Sequence, residues 1–258
     1  YTLSYTLSLH DALPILGVLT SKENVGEVEN SGVELQTRVI PIQNKDWQWS
    51  LSLNYSYNKN KIKKISNALK EQNEQNQKKG GIVPLPIYEE GQSLTAIKVV
   101  PSAGIDPVTG NEIFIKRDGS YTMTYDANDK VIFGDSTPFG IGSLSSYLTY
   151  KQFSLGTSFR YSFGGSIYNQ TLATKVEGSD PRYNADERVF NDRWKQPGDI
   201  AKYKKISDSS VPQQTSRFIQ TNNYITLSSL SLAYEVPAEK LKKFGLRRLH
   251  LEMIANDL

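Results

Sequence analysis

In the stretch Trp47-Gln-Trp-Ser-Leu-Ser-Leu-Asn-Tyr-Ser-Tyr57, every odd-numbered residue is aromatic or Leu and every even-numbered one is Gln, Ser or Asn. Successive side chains of a β-strand point to opposite faces, so the segment forms a strand with one apolar and one polar face. About 11 residues is what a tilted strand needs to cross a bilayer. Trp at one end and Tyr at the other suit the two membrane interfaces, where amphipathic rings gather.

The pattern recurs on both sides. Phe153, Leu155, Thr157, Phe159, Tyr161 and Phe163 alternate with Ser154, Gly156, Ser158, Arg160 and Ser162. Leu144, Leu148 and Tyr150 alternate with Ser143, Ser145 and Thr149, and Ser146 breaks the apolar parity. Leu230, Leu232, Tyr234 and Val236 form another such set, as do Leu249, Leu251 and Met253, with Ile254 out of place. Upstream, Val33, Leu35, Thr37 and Val39 alternate with Glu34, Gln36 and Arg38. A soluble β-sandwich also alternates. The second face, rich in Ser, Gly, Asn, Gln, Arg and Glu, favours a water-filled lumen, and aromatics cap the apolar side. The expected fold class is all-β, an antiparallel transmembrane β-barrel with long extracellular loops. The alternative is a soluble β-rich carbohydrate-binding or adhesion module whose apolar faces form a core.

Connections are unequal. Tyr150-Lys151-Gln152-Phe153 and Asn44-Lys45-Asp46 read as tight turns, whereas 58–91 and 164–215 read as long polar excursions. Short turns at one rim and long loops at the other are the habit of outer-membrane barrels. Residues 70–80, KEQNEQNQKKG, read as a mobile loop tip. The segment 237–244 reads as one or two helical turns, with Pro237 at the first helical position.

Composition excludes much. The 258 residues carry 30 Lys+Arg against 27 Asp+Glu, a net +3 too mild for nucleic-acid binding. With no Cys, disulfides, thiol nucleophiles and Cys-ligated zinc are out. Two His, His10 and His250, leave little for a metal or triad site. No apolar run approaches 20 residues, so no transmembrane helix is expected, which says nothing against a barrel. Residues 1–16, YTLSYTLSLHDALPIL, resemble a translated sequencing adaptor and are set aside as non-native, an apolar strand over Leu13–Leu19 being the alternative. Residues 17–258 are then one partial barrel domain.

No catalytic constellation emerges, so the chain is not expected to be an enzyme, and no cofactor or metal site is expected. Asp106-Pro-Val-Thr-Gly-Asn111 is turn chemistry, Asp126-Ala-Asn128-Asp129 lacks the Gly and distal Glu of a calcium loop, and Gly164-Gly165 is a loop hinge. Within 164–215, Arg182, Tyr183, Arg193, Trp194 and Tyr203 are the candidate ligand-facing residues, because aromatic planes beside Arg suit sugars and peptides. Tyr168 shares that loop.

Five stretches, in order, carry a family resemblance. They are Gly26-Glu-Val-Glu-Asn-Ser-Gly-Val-Glu-Leu35, Gly104-Ile-Asp-Pro-Val-Thr-Gly-Asn-Glu-Ile-Phe114, Gly134-Asp-Ser-Thr-Pro-Phe-Gly140, Asp192-Arg-Trp-Lys-Gln-Pro-Gly-Asp-Ile-Ala-Lys-Tyr203, and Ser216 to Pro237 followed by Phe244 to Asn256. Residues 22–258 thereby resemble the C-terminal barrel strands of SusC/RagA-type TonB-dependent outer-membrane transporters; the final Asn256-Asp257-Leu258 departs slightly from the family's Asn-Leu. The resemblance implies a barrel of about 22 strands closed by an N-terminal plug, of which this is a C-terminal portion lacking plug, TonB-contacting segment and last strands. It further implies uptake of oligosaccharides or peptides across a Gram-negative, Bacteroidetes-like outer membrane. The implied partners are outer-membrane lipid, a SusD-like surface lipoprotein and the TonB complex, with no nucleic acid. Alone, such a piece would present open edges and an apolar face without lipid, and it is expected not to fold in plain buffer.

Overall fold

The computed structural model describes residues 2–9, 23–180 and 182–258, with side chains from Gly26 onward. The chain opens with β1 (Thr2–Leu9), β2 (Glu23–Gln43) and β3 (Trp47–Ile65). A first excursion, 66–139, carries α1 (Asn67–Lys78), β4 (Ala96–Val99), β5 (Ser102–Ile105), β6 (Glu112–Ile115), β7 (Tyr121–Thr122) and β8 (Val131–Asp135). The hairpin β9 (Gly140–Tyr150) and β10 (Phe153–Phe163) follows. A second excursion, 164–223, holds β11 (Ser166–Tyr168), a π-helical segment Leu172–Glu177, α2 (Arg188–Asn191) and β12 (Ile219–Thr221). The chain ends with β13 (Tyr224–Glu235), α3 (Ala238–Leu241) and β14 (His250–Asn256).

The frame is a seven-stranded sheet in the order β1-β2-β3-β9-β10-β13-β14, antiparallel at every step. Up-and-down order puts 44–46, 151–152 and 236–249 at one rim and both excursions at the other. Residues 2–9, within the segment set aside as non-native, pair only with the first part of β2, Leu9 with Glu23 through Thr2 with Ser31; 10–16 and the whole of the alternative strand Leu13–Leu19 lie outside the described residues, as does Pro181.

Cross-strand register turns the sequence alternation into rows. Trp47, Tyr150, Phe153, Tyr234 and Leu251 share one row of the apolar face. Ring centroids are 4.2 Å apart for Trp47–Tyr150 and 4.7 Å for Phe153–Tyr234, and such aromatic pairs contribute about 0.5–1.5 kcal/mol each beyond area burial. The next row is Ile42, Trp49, Leu148, Leu155, Leu232 and Met253. Ser146, which broke the apolar parity, accepts the Trp49 indole N–H at 2.9 Å; the exception satisfies a donor that hydrocarbon could not. Toward the other rim the face carries Tyr55, Tyr57, Tyr161 and Phe163. Gly142 makes room for this upper belt, since a Cβ there would sit 2.0 Å from the Asn54 carbonyl oxygen and 2.6 Å from Tyr161 Oη. From Trp47 to Tyr57 is about 34 Å along the strand, or about 25 Å across a bilayer at the usual tilt, the height of an outer-membrane barrel's apolar band.

The excursions differ from the sequence expectation. The sheet runs to Ile65 rather than stopping near residue 58, and neither excursion is structureless. Residues 70–78 of the expected mobile tip are instead helical, the greater part of α1. Ser66 Oγ caps the helix by accepting the Leu69 amide at 3.2 Å, and Lys130 Nζ donates to the terminal carbonyls of Asn76 and Lys79 at 3.2 and 2.7 Å. A composition of Glu, Gln, Asn and Lys needed only these caps and one apolar anchor, Leu69, to become helical. Pro237 sits at the N-cap of α3, one position before the expected one, and Gly245 closes the turn at φ 69.

Candidate functional site

The second face of the sheet is a lawn of small polar groups. Register places Ser52, Ser145, Ser158 and Ser229 in one row, Gln36, Asn54, Ser143, Arg160 and Thr226 in the next, and Glu34, Ser56, Ile141, Ser162 and Tyr224 in a third. Asn54 Nδ2 donates to Ser143 Oγ at 3.0 Å, and the hydroxyls of Ser145 and Ser158 lie 3.0 Å apart. Residues of the last two rows, among them Glu34, Asn54, Arg160 and Tyr224, line a hollow of about 800 Å³ just below the excursions, to which Leu35, Tyr55, Gly142 and Tyr161 of the opposite parity also contribute.

Above those rows the two faces exchange polarity. Val33 opposite Tyr57 is the last apolar row on the outer face, and Val33 is 63% exposed. Five residues further along each strand, on the opposite parity, Val28 faces Ile62, and these are 1% and 0% exposed. They pack with Ile65 and Leu69 and against Tyr88 and Leu94 of the first excursion. Lys59 and Lys61 now occupy the outer parity and are exposed. A continuous ribbon thus turns its apolar side outward over one length and inward over the next.

The two excursions fold together as a cap. The backbone of Val100 pairs with Gln214 and Ser216, by N–H···O distances of 3.0 and 3.1 Å. Trp194 Nε1 and the Gly198 amide each donate to the Pro107 carbonyl at 2.8 Å. The Trp194 ring lies on Gly110, where a Cβ would come within 2.5 Å of it and φ is +72. That proximity joins the Asp106–Asn111 turn, whose Asp106 carboxylate accepts from Val108 N and Thr109 N and Oγ1, to the second excursion.

Beneath these contacts is a buried ionic cluster. Arg217 bridges Glu112 and Glu177, with Nη2–Oε2 2.6 Å to Glu112 and Nη1–Oε2 2.7 Å to Glu177, and side-chain exposures of 10%, 3% and 1%. Burial alone would lower the Arg217 pKa, but the hydrogen bonds to both carboxylates outweigh it and hold the guanidinium above its ordinary value. Arg193, also buried, donates to the carbonyls of Lys204 at 3.2 Å, Val176 at 3.0 Å and Glu177, and burial holds its pKa down while Glu177 opposes that. Two cations against two anions leave the cluster neutral, as a low-dielectric site requires. An apolar core of Leu172, Ala173, Val176, Val189, Tyr203 and Phe218 surrounds it. At the far side of the cap, burial followed by the Lys98 charge pushes the Lys130 ammonium down to about 8.

The five residues expected to face ligand separate. Arg182 and Tyr183 are exposed, Arg182 chelating Asp180 at 2.6 Å. Trp194 is half-buried against the first excursion. Arg193 and Tyr203 are 6% exposed inside the cap core, and Tyr168 donates its hydroxyl to the Ile82 carbonyl at 2.6 Å. Loop packing claims these three: Arg193 and Tyr168 each have a polar tip with a partner inside the cap, and Tyr203 packs in the apolar core of the second excursion. Glu112, Glu177 and Arg217 were not singled out from sequence. The available signal was a lone charge in an apolar run, as in Glu112-Ile-Phe-Ile115 and Ser216-Arg-Phe-Ile219. No cluster of three or more His, Cys, Asp or Glu able to hold a metal occurs among the described residues.

An antiparallel wall with an apolar face of bilayer height, short turns at one rim and a folded cap at the other are features that outer-membrane β-barrels share. The chain is similar to TonB-dependent receptor P3 of Formosa agariphila, 28% identical over 284 aligned residues, 98% of this chain and 27% of the relative. TonB-dependent receptor P39 of the same organism is 27% identical over 58% of this chain and 15% of its own length. No family model matches. Among solved structures, the RagAB peptide importer superposes in its closed-closed and open-open states with a TM-score of 0.78 for each, at 24% and 22% identity, over 100% of this chain and 29% and 28% of theirs. Over nearly its whole length the chain is thus similar to TonB-dependent receptors, and it spans about a quarter of the length of the longer-matching relative. These relatives are receptors and transporters rather than enzymes.

Proposed function

We propose that the chain supplies part of the wall and the extracellular cap of a closed, plug-bearing outer-membrane barrel of about 22 strands, from its C-terminal portion. The barrel imports oligosaccharides or peptides, draws energy from the TonB complex and works with a SusD-like surface lipoprotein in a Gram-negative, Bacteroidetes-like cell. Residues 1–16 are read as foreign to it, so the β1–β2 pairing carries no part of this proposal. Arg182, Tyr183 and Trp194 remain candidates on the cap surface for cargo or lipoprotein.

The observation that supports the reading best is the exchange of polarity between the Val33–Tyr57 and Val28–Ile62 rows. A sandwich strand keeps one buried face along its length. A strand that leaves hydrocarbon for water must instead turn its apolar side from lipid toward its own cap, and turn charge outward. With no Cys in this part of the protein, single cysteines introduced here in an otherwise Cys-free background report each environment. In the intact receptor in membranes, Cys at Leu53 should react with a lipid-phase maleimide only, and Cys at Ser52 or Lys61 with a water-soluble one. Water-phase labelling at Leu53 equal to that at Ser52 would remove the reading.

A further inference from the structure

We infer that Arg160 is an anion-recognition residue of the cargo path, selecting oligomers that carry an isolated carboxylate; this rests on the import reading above. Of nine arginines in the sequence, six have guanidinium partners: Arg117, Arg182, Arg188, Arg193, Arg217 and Arg248. Arg38, Arg160 and Arg247 have none among the described residues. Arg38 lies on β2 beyond the span that β1 pairs, and Arg247 lies in the turn before β14. Arg160 differs, because strands flank it on both sides. Its register partners are Ser143 and Thr226, and its same-face neighbours along β10 are Ser158 and Ser162. None is acidic, so its counter-charge comes from outside this part of the wall.

Glu34 is the carboxylate that lines the same hollow. It stands on β2, three strands from β10, about 14 Å across the sheet and one row higher. That is beyond the combined reach of the two side chains, so the pair stays open. Arg160 is exposed, and its planar fork matches a carboxylate bidentately. Asn54 adds a neutral polar group to the same hollow, and Tyr224, 49% exposed in the adjoining row, offers a ring face. A second anion on the β2 side would meet Glu34 and be repelled. The hollow therefore suits a mostly neutral chain with one acidic group rather than a polyanion.

The test uses the intact detergent-purified receptor and two matched probe pairs. One is a blocked pentapeptide, Ala-Ala-Glu-Ala-Ala, against its Gln counterpart; the other is a tetrasaccharide with one uronate against its neutral parent. Wild type should bind the acidic member of at least one pair about tenfold more tightly, the scale of one charged hydrogen-bonding contact. Arg160→Gln should bring the two members within about twofold, and Arg160→Lys should restore part of the preference. Neutral probes bound with no acidic preference, or a preference that survives Arg160→Gln, overturn the inference and leave import standing. Failure of Arg160→Gln to assemble while Arg160→Lys assembles also overturns it, because a carboxylate of the barrel itself would then hold Arg160. Absence of binding by every probe, together with absence of uptake by cells, removes the import reading as well.

Discussion

Replacing Phe159 by Arg puts a charge where the apolar face has no water. Phe159 lies in register with Leu144 and next to Leu227 across β13, six residues above the Phe153 belt. At about 3.4 Å per residue that is about 20 Å along the strand, or about 14 Å in height at the usual barrel tilt, within a few ångströms of the middle of the band. An Arg facing lipid near the midplane costs about 2–4 kcal/mol, which shifts an assembly equilibrium by about 30- to 1000-fold. Ser158 is adjacent but on the polar face, 3.0 Å from Ser145 Oγ, and Ser158→Arg would reach into water at little cost. The assay is heat-modifiable gel mobility of the intact receptor in outer-membrane fractions, which separates folded from unfolded barrel. Folded receptor should fall sharply for Phe159→Arg and stay near wild type for Ser158→Arg. Equal folded fractions, or the reverse order, would refute the assigned facing.

Arg217→Met strands the Glu112 and Glu177 carboxylates in the cap, and breaking a buried pair this way costs about 3–5 kcal/mol; protease cleavage within 164–215 should accelerate while barrel mobility on gels is unchanged. Gly110→Ala combines a left-handed φ with a Cβ 2.5 Å from the Trp194 ring, so it should weaken the cap by about 1–3 kcal/mol, read by faster hydrogen exchange at Trp194 and Gly198. Lys130 titrates near 8 when folded and near 10.4 when free; between those values the opened cap holds a proton that the closed cap has released, so closure strengthens as pH rises through that window and is flat below it. Hydrogen exchange of α1 amides, corrected for intrinsic rates, should show that rise and lose it in Lys130→Met.

The membrane-height part of the fold was legible because hydrocarbon and water impose a strict period of two: β10 has the bounds its alternation marks, and β9 ends where its alternation does but begins three residues earlier. The cap was less legible. Its strands are two to five residues long, too short for periodicity to rise above chance, and α1 depends on Ser66 and on Lys130 from 64 residues downstream of that cap. Arg193 and Tyr203 read as surface recognition groups because composition cannot tell a guanidinium offered to ligand from one spent on backbone carbonyls. One signal was present and unused: Ile62 falls on the wrong parity for the stripe that starts at Trp47, and Lys59 and Lys61 replace aromatics on the right one.

That parity change also explains why the cap, rather than the wall, concentrates buried charge. Within the membrane band the outer face can hold no ion, and the inner face is wet, so neither needs an internal pair. Above the band the ribbon's inward side is apolar, and the chain returning through two excursions must bury backbone it cannot pair within one regular sheet. Arg217 and Arg193 meet this need by accepting burial among carbonyls and carboxylates from three separated segments, around 112, 177 and 204. A hydrophobic replacement could fill the same volume, but it would leave the carbonyls of Val176, Glu177 and Lys204 without their donor. Paired charge accordingly marks the scaffold of the cap, whereas a guanidinium left open on a wall whose neighbours are all neutral, as at Arg160, marks a surface completed by something that is not scaffold.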